Sequence, residues 1–100
     1  MYFIYILTNY YNTVLYIGCT HDLLKRLREH KDLPEKHTFS NKYNLNKLIY
    51  YEILPNRETA YQREKQLKNW HRQWKINLID KHNETWKDLQ SQFLKDLRSK

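Results

Sequence analysis

The sequence is poor in residues that break or cross-link a chain, with one glycine, two prolines and one cysteine in 100 residues. A single cysteine excludes an intramolecular disulfide and is compatible with a reducing compartment. No stretch rich in glycine, proline or serine separates two segments, so no linker is indicated. We therefore expect one domain over residues 1–100.

Long hydrophobic runs are also absent from the sequence. No apolar stretch approaches the roughly 18 residues that a membrane span requires. The N-terminal MYFIYIL is apolar, but it lacks the basic segment and the small-residue cleavage site of a signal peptide. We expect a protein with no membrane association and a cytoplasmic location.

Acidic residues are few relative to basic ones, 11 against 18, which gives a formal net charge of +7. Such a charge favours polyanionic partners, because Lys and Arg displace counterions from phosphates. A basic domain with no role in nucleic-acid binding has the same charge, so this alternative stays open. The nine tyrosines add rings that stack on bases and hydroxyls that exchange protons.

The hydrophobic pattern predicts a small α+β domain. Strand-like runs lie at 2–7, 14–18 and 47–54, and a polar, Asn-rich hairpin joins the first two. Helical spacing is found at 20–31, 58–70, 72–82 and 86–97, the second and third being separate or continuous. This order predicts a three-stranded sheet flanked by helices, with a core at about 1–83 and a C-terminal amphipathic helix at about 86–98.

Gly18 is the only glycine, and it follows the second strand-like run. Glycine permits a positive φ, and it also permits another group to approach the backbone closely. The position therefore indicates a turn between strand and helix, which also permits a close approach to the backbone.

Polar side chains interrupt the faces of two predicted helices. Arg26 and His30 are i, i+4 neighbours, so they either converge on one object or are two unrelated solvated residues. Glu64 lies on the apolar stripe of the second helix, where a carboxylate is costly unless it is paired or holds a cation. The residues alone leave open a salt bridge with Arg26 or another basic residue, and a divalent-metal ligand.

FIY at 3–5 and LYIG at 15–18, followed by Arg26, His30 and Glu64, resemble the GIY-YIG nuclease superfamily. The segments YFIYIL, LYIGCTHDLLKRLREHK and AYQREKQLKNW are similar to its small, stand-alone, single-domain branch. The resemblance implies a three-stranded antiparallel sheet flanked by helices and metal-dependent hydrolysis of phosphodiesters. Phenylalanine stands where the first motif of the family has its glycine, which is not a catalytic group.

The resemblance also implies roles for individual residues. Glu64 would hold one Mg²⁺ or Mn²⁺, Arg26 would bind a phosphate oxygen, and a tyrosine would activate the attacking water. The implied catalytic residues are Tyr5, Tyr16, Arg26, His30 and Glu64, with Gly18 as a structural residue of the site. Residues expected to contact the substrate are His21, Lys42, Lys47, Lys68 and Asn83, the last as a match to a late asparagine of the family.

The expected function is that of an endonuclease acting on nucleic acid, DNA more than RNA, in repair or processing. The alternative is a non-catalytic nucleic-acid-binding module that keeps the nuclease fold. The C-terminal helix would either close the domain or dimerise, so a monomer and a homodimer both remain. Trp70 and Trp74 are expected in the core, with base stacking as the alternative.

Overall fold

The computed structural model describes residues 1–32 and 45–98, and the side chains of residues 1–28 and 45–97. Three strands form one sheet in the order β2-β1-β3, and both pairings are antiparallel. The strands are β1 (Tyr2–Thr8), β2 (Leu15–Thr20) and β3 (Lys47–Leu54). In the described residues, the helices are α1 (Leu23–Asp32), α2 (Arg57–Asn69), α3 (Arg72–His82) and α4 (Gln90–Arg98). The predicted α+β class with a three-stranded antiparallel sheet is confirmed.

The central strand β1 is buried on both faces. Because side chains alternate along a strand, Phe3, Tyr5 and Leu7 pack on one face, against α1 and α4. Ile4 and Ile6 pack on the other face, against α2 and α3. We call these the α1 face and the α2 face. The sheet is thus a central layer with helices on each side, which explains why β1 reads as an unbroken apolar run.

The β1–β2 connection turns without glycine. Asn12 adopts a φ of 58°, in the left-handed region that asparagine tolerates better than most residues. The Asn9 side chain accepts a hydrogen bond from the backbone N–H of Thr13 at 2.8 Å. Asn9 and Asn12 therefore stabilise this turn in place of the Asn-Gly pair found in many hairpins.

Side-chain caps set where two helices begin. Asp22 accepts a hydrogen bond from the N–H of Lys25 at 3.1 Å, so α1 begins at Leu23, later than predicted. Asn56 accepts one from the N–H of Thr59 at 2.9 Å and starts α2 directly after Pro55.

Two predictions about the C-terminal half were wrong, the core position of Trp74 and the start of the last helix. The helix from 57 breaks at Trp70 and His71, both in extended conformations, so α2 and α3 are separate. The break removes Trp74 from the core, and it is 54% exposed. The last helix begins at Gln90 instead of 86, because Trp86 adopts a φ of 54° that no right-handed helix accommodates.

No helix in the described parts of the chain is both long and apolar enough to span a bilayer.

Candidate active site

Gly18 lies within β2, directly opposite Tyr5 of β1. Its φ is not positive, so it serves no turn. A Cβ at this position would overlap the Cζ and hydroxyl oxygen of Tyr5 and would lie 2.8 Å from its Cε1. The glycine therefore provides the space that the Tyr5 ring occupies, and the predicted turn at Gly18 is wrong.

Tyr5 is fully buried and forms the centre of a polar cluster. Its ring centroid lies 6.3 Å from that of Tyr16, which is two residues before Gly18 on β2 and on the same face of the sheet. Burial raises the pKa of Tyr5 well above its ordinary value, and the neighbouring Tyr16 raises it further. A hydrogen bond and the positive charge of Arg26, on α1, oppose that rise. Tyr5, Tyr16 and Arg26 thus converge on the α1 face, beside Gly18.

Glu64 approaches the same place from the α2 face. Its side chain is 19% exposed and forms an ion pair of 3.1 Å with Lys68, one turn further along α2. The carboxylate acts electrostatically on Tyr5, where it raises the pKa. Burial is the largest cause that raises the pKa of the Cys19 thiol, and the charge of Glu64 is the second. The positive charges of Lys68 and Arg26 lower the same pKa. Groups from both faces of the sheet therefore meet at the β2 edge around Gly18 and Cys19.

The sequence model of the GIY-YIG catalytic domain matches residues 1–77, more than half of the chain. The chain belongs to the GIY-YIG family. It is a member of a nuclease superfamily whose members are generally endonucleases and typically use divalent metals. No curated protein and no solved structure matches the chain.

The residues of this GIY-YIG site fit one hard divalent cation. Glu64 is partly exposed, and its charge acts on the Tyr5 phenol. Mg²⁺ keeps several waters and is bound by one or two carboxylates together with substrate phosphates. Within residues 1–28 and 45–97, no group of three His, Cys, Asp or Glu side chains forms a closed metal site. The donor chemistry therefore suits Mg²⁺ or Mn²⁺ on Glu64, which would complete the coordination with water and phosphate.

The ion pair of Glu64 selects between the basic partners that the sequence left open. The observed partner is Lys68, not Arg26. Arg26 lies near Tyr5, where its positive charge lowers the pKa of the phenol. Lys68 is on the surface, with a side chain 54% exposed, and its predicted contact with the substrate stays a prediction.

Other predicted contact residues lie away from this cluster. His21 is exposed, with its ring 6.2 Å from that of Tyr2. Lys47 begins β3, the opposite edge strand, and donates to the side chain of Asn12 at 2.8 Å. The side chain of His30 and the whole of Lys42 lie outside the described residues, so their predicted roles stay predictions.

Asn83 is an internal brace. It is 5% exposed, and its Nδ2 donates to the carbonyls of Ile49 at 3.0 Å and Lys87 at 2.8 Å. Ile49 is the extra residue of a bulge in β3, whose carbonyl needs a donor from outside the regular ladder. This use of the amide gives no geometric support to the predicted contact with substrate.

A second polar cluster, which sequence reasoning missed, fixes the rotation of α2. Arg63 donates from Nε and Nη2 to the carboxylate of Glu52 on β3, at 2.9 and 2.8 Å. The Tyr50 hydroxyl donates to the same carboxylate. Glu64 is the next residue after Arg63 on α2. The Arg63–Glu52 ion pair on one flank of the helix therefore orients Glu64 toward the β2 edge on the other flank. The available signal was the position of Glu52, which strand alternation places on the α2 face.

We expect Glu52→Gln to lower the free energy of unfolding by about 2 kcal/mol at neutral pH, because it leaves a half-buried guanidinium without its anion. Burial raises the pKa of Glu52, but the hydrogen bonds from Arg63 and Tyr50 outweigh it and hold the pKa below the ordinary 4.5. A lowered pKa stabilises the fold above the unfolded value and loses that effect as pH falls through the folded value.

Urea unfolding measured from pH 7 down to pH 3 checks this prediction. The difference between wild type and Glu52→Gln is expected to shrink below about pH 4.5, the ordinary carboxyl range. Glu84→Gln, which replaces an exposed carboxylate, is the control and should show little difference at any pH. A difference for Glu52→Gln that persists unchanged at pH 3 would contradict the ion-pair explanation.

Proposed function

We propose that this GIY-YIG protein is a divalent-metal-dependent endonuclease that hydrolyses DNA phosphodiesters in repair or processing. The observation that supports it most is the convergence of Tyr5, Tyr16, Arg26 and Glu64 around Gly18. Phosphodiester hydrolysis requires an activated water, a counter-charge for the phosphoryl oxygens and a stabilised leaving group. These four side chains supply the types of group that such a reaction uses.

Arg26 is the residue proposed to hold the phosphate. Its planar guanidinium forms paired hydrogen bonds with phosphate oxygens and stays charged at any working pH. In the free protein it lies near Tyr5, where its positive charge opposes the rise in the pKa of that phenol. A divalent cation on Glu64 supplies further charge neutralisation at the phosphate or leaving oxygen when bound.

Tyr16 is the better placed of the two tyrosines to take a proton from water. Tyr5 is fully buried, with its hydroxyl enclosed between Gly18 and Arg26, whereas Tyr16 is only half-buried. A general base needs direct reach to the water that it deprotonates. We therefore assign proton transfer to Tyr16, which as its phenolate would accept the proton of the attacking water and become a neutral phenol, and we assign to Tyr5 a positioning role beside Arg26.

A cleavage panel tests the proposed function. Single-stranded, duplex, flap and branched DNA, with RNA in parallel, are incubated with the protein and Mg²⁺ or Mn²⁺. Nicking of at least one DNA is expected, and excess chelator should abolish it until the cation is restored. Cleavage of RNA alone would refute the DNA assignment. Binding without chelator-sensitive cleavage of any substrate would refute the nuclease and favour the non-catalytic binding module.

A further inference from the structure

The outer side of α3 carries an apolar groove that the active site does not use. It has a volume of about 280 Å³ and lies beside the C-terminal end of α2. Trp74 is its most exposed aromatic wall, while Trp70 is partly buried against the core of the α2 face. The lining residues are Trp70, Trp74, Asn77, Leu78 and Lys81.

Ring contacts hold Trp74 in a defined orientation. The Trp70 ring meets it at 5.9 Å in a T-shaped arrangement, and the His71 ring does so at 5.6 Å. Trp70 is itself covered by the guanidinium of Arg63, 5.4 Å from its ring centroid. A large aromatic surface is therefore pre-oriented and still more than half open to solvent, which is the state of a stacking platform before its ligand binds.

Polar groups at the groove suit a nucleobase and its phosphate. The Asn77 side-chain oxygen accepts from Gln73 at 2.9 Å, and within the described residues its amide nitrogen donates to no protein atom. Lys81 supplies a positive charge at the wall. An aromatic face, an amide donor and an ammonium group are the combination that binds an unstacked base with its attached phosphate.

The charge near the groove favours a polyanion as its occupant. Lys81 lines the groove and Lys75 follows Trp74 on α3, whereas the Arg72 side chain donates to the carbonyl of Thr13. The carboxylate of Asp80, on the same helix, accepts the indole N–H of Trp86. With a net charge of +7, this surface is complementary to a polyanion, and complementary charge raises both the rate and the specificity of encounter.

We propose that the groove is a base-stacking subsite, occupied by an unpaired base of a single-stranded DNA segment. The inference rests on the proposed function and narrows its substrate class to DNA with unpaired bases, such as a flap, a gap or a free strand. Duplex DNA presents no base face to Trp74, because its bases are stacked on each other and read only at their edges.

Equilibrium binding to labelled oligonucleotides of about 12 nucleotides, within the range of one single-strand site, tests the proposal. The probes are an oligothymidylate, an oligouridylate and an abasic DNA strand of the same length, all in chelator so that nothing is cleaved. Trp74→Leu is expected to weaken oligothymidylate binding about 10-fold, the loss of one stacked base, and to leave the abasic strand unaffected. Trp74→Phe should retain most of the affinity.

Tyr11→Leu is the matched control, since Tyr11 is another aromatic residue that is 78% exposed. The Tyr11→Leu variant should bind the probes as wild type does. Thermal unfolding confirms that Trp74→Leu folds. Unchanged oligothymidylate affinity, or an equal loss on the abasic strand, would overturn the proposal and leave the groove to a protein partner. A loss seen with oligouridylate but not with oligothymidylate would overturn the DNA assignment. Because the assay contains no catalytic step, its outcome is independent of whether the protein cleaves.

Discussion

Glu64→Gln is expected to lower the rate of DNA cleavage by about 1000-fold or more while leaving DNA affinity equal or higher. Glutamine keeps the shape of the side chain but removes the charge that a hard divalent cation requires. The same substitution removes a negative charge from the place where a phosphate would bind and releases Lys68 from its ion pair. Binding and catalysis are therefore expected to change in opposite directions.

Three measurements separate this prediction from a simple loss of structure. The ion pair is at the surface and contributes at most about 1 kcal/mol, so thermal unfolding of Glu64→Gln should be close to wild type. Calorimetric titration with Mn²⁺, without DNA, should lose its binding signal. Lys68→Gln, which breaks the same ion pair but keeps the carboxylate, should retain the Mn²⁺ signal and most of the cleavage. Cleavage by Glu64→Gln within a few-fold of wild type would remove Glu64 from the metal site.

The sheet and the centre of the site were predictable because they depend on local patterns. Alternation and β-branched residues mark the three strands. Tyr5 and Arg26 come from segments that each carry a motif, and one strand–turn–helix unit brings Gly18 and Arg26 close together. The motif resemblance was therefore sufficient to name residues that the structure brings together, while their catalytic roles stay predictions.

What escaped prediction depends on contacts between distant segments. The Glu52–Arg63 ion pair joins β3 to α2, and the sequence of neither segment indicates which residue of the other it contacts. The exposure of Trp74 follows from a break at Trp70 and His71, where neither proline nor glycine interrupts the helical pattern. Asn83 was assigned to the substrate, but its amide is taken by the carbonyl of a β3 bulge that no periodicity reveals.

Gly18→Ala is expected to lower the free energy of unfolding by about 2–3 kcal/mol and to reduce cleavage by about 100-fold. A single methyl group would occupy the volume of the Tyr5 ring, which is fully buried and has no open side to move into. The ring must shift, and its hydroxyl then leaves the position from which it meets Arg26. Stability and activity are both expected to fall, because the Tyr5 ring packs in the core and also belongs to the site.

Two further variants connect these effects to Tyr5. Cys19→Val enlarges the adjacent residue, whose side chain points to the α2 face away from Tyr5, and it should cost less in both unfolding and cleavage. Combining Gly18→Ala with Tyr5→Leu empties the space that the new methyl group needs, so stability should partly return while cleavage stays low. If Gly18→Ala and Cys19→Val prove equally harmful, or if the double variant is no more stable than Gly18→Ala, then Gly18 serves strand packing in general. Recovery of stability without activity would instead show that the only glycine in the chain is required because it makes room for a tyrosine at the active site.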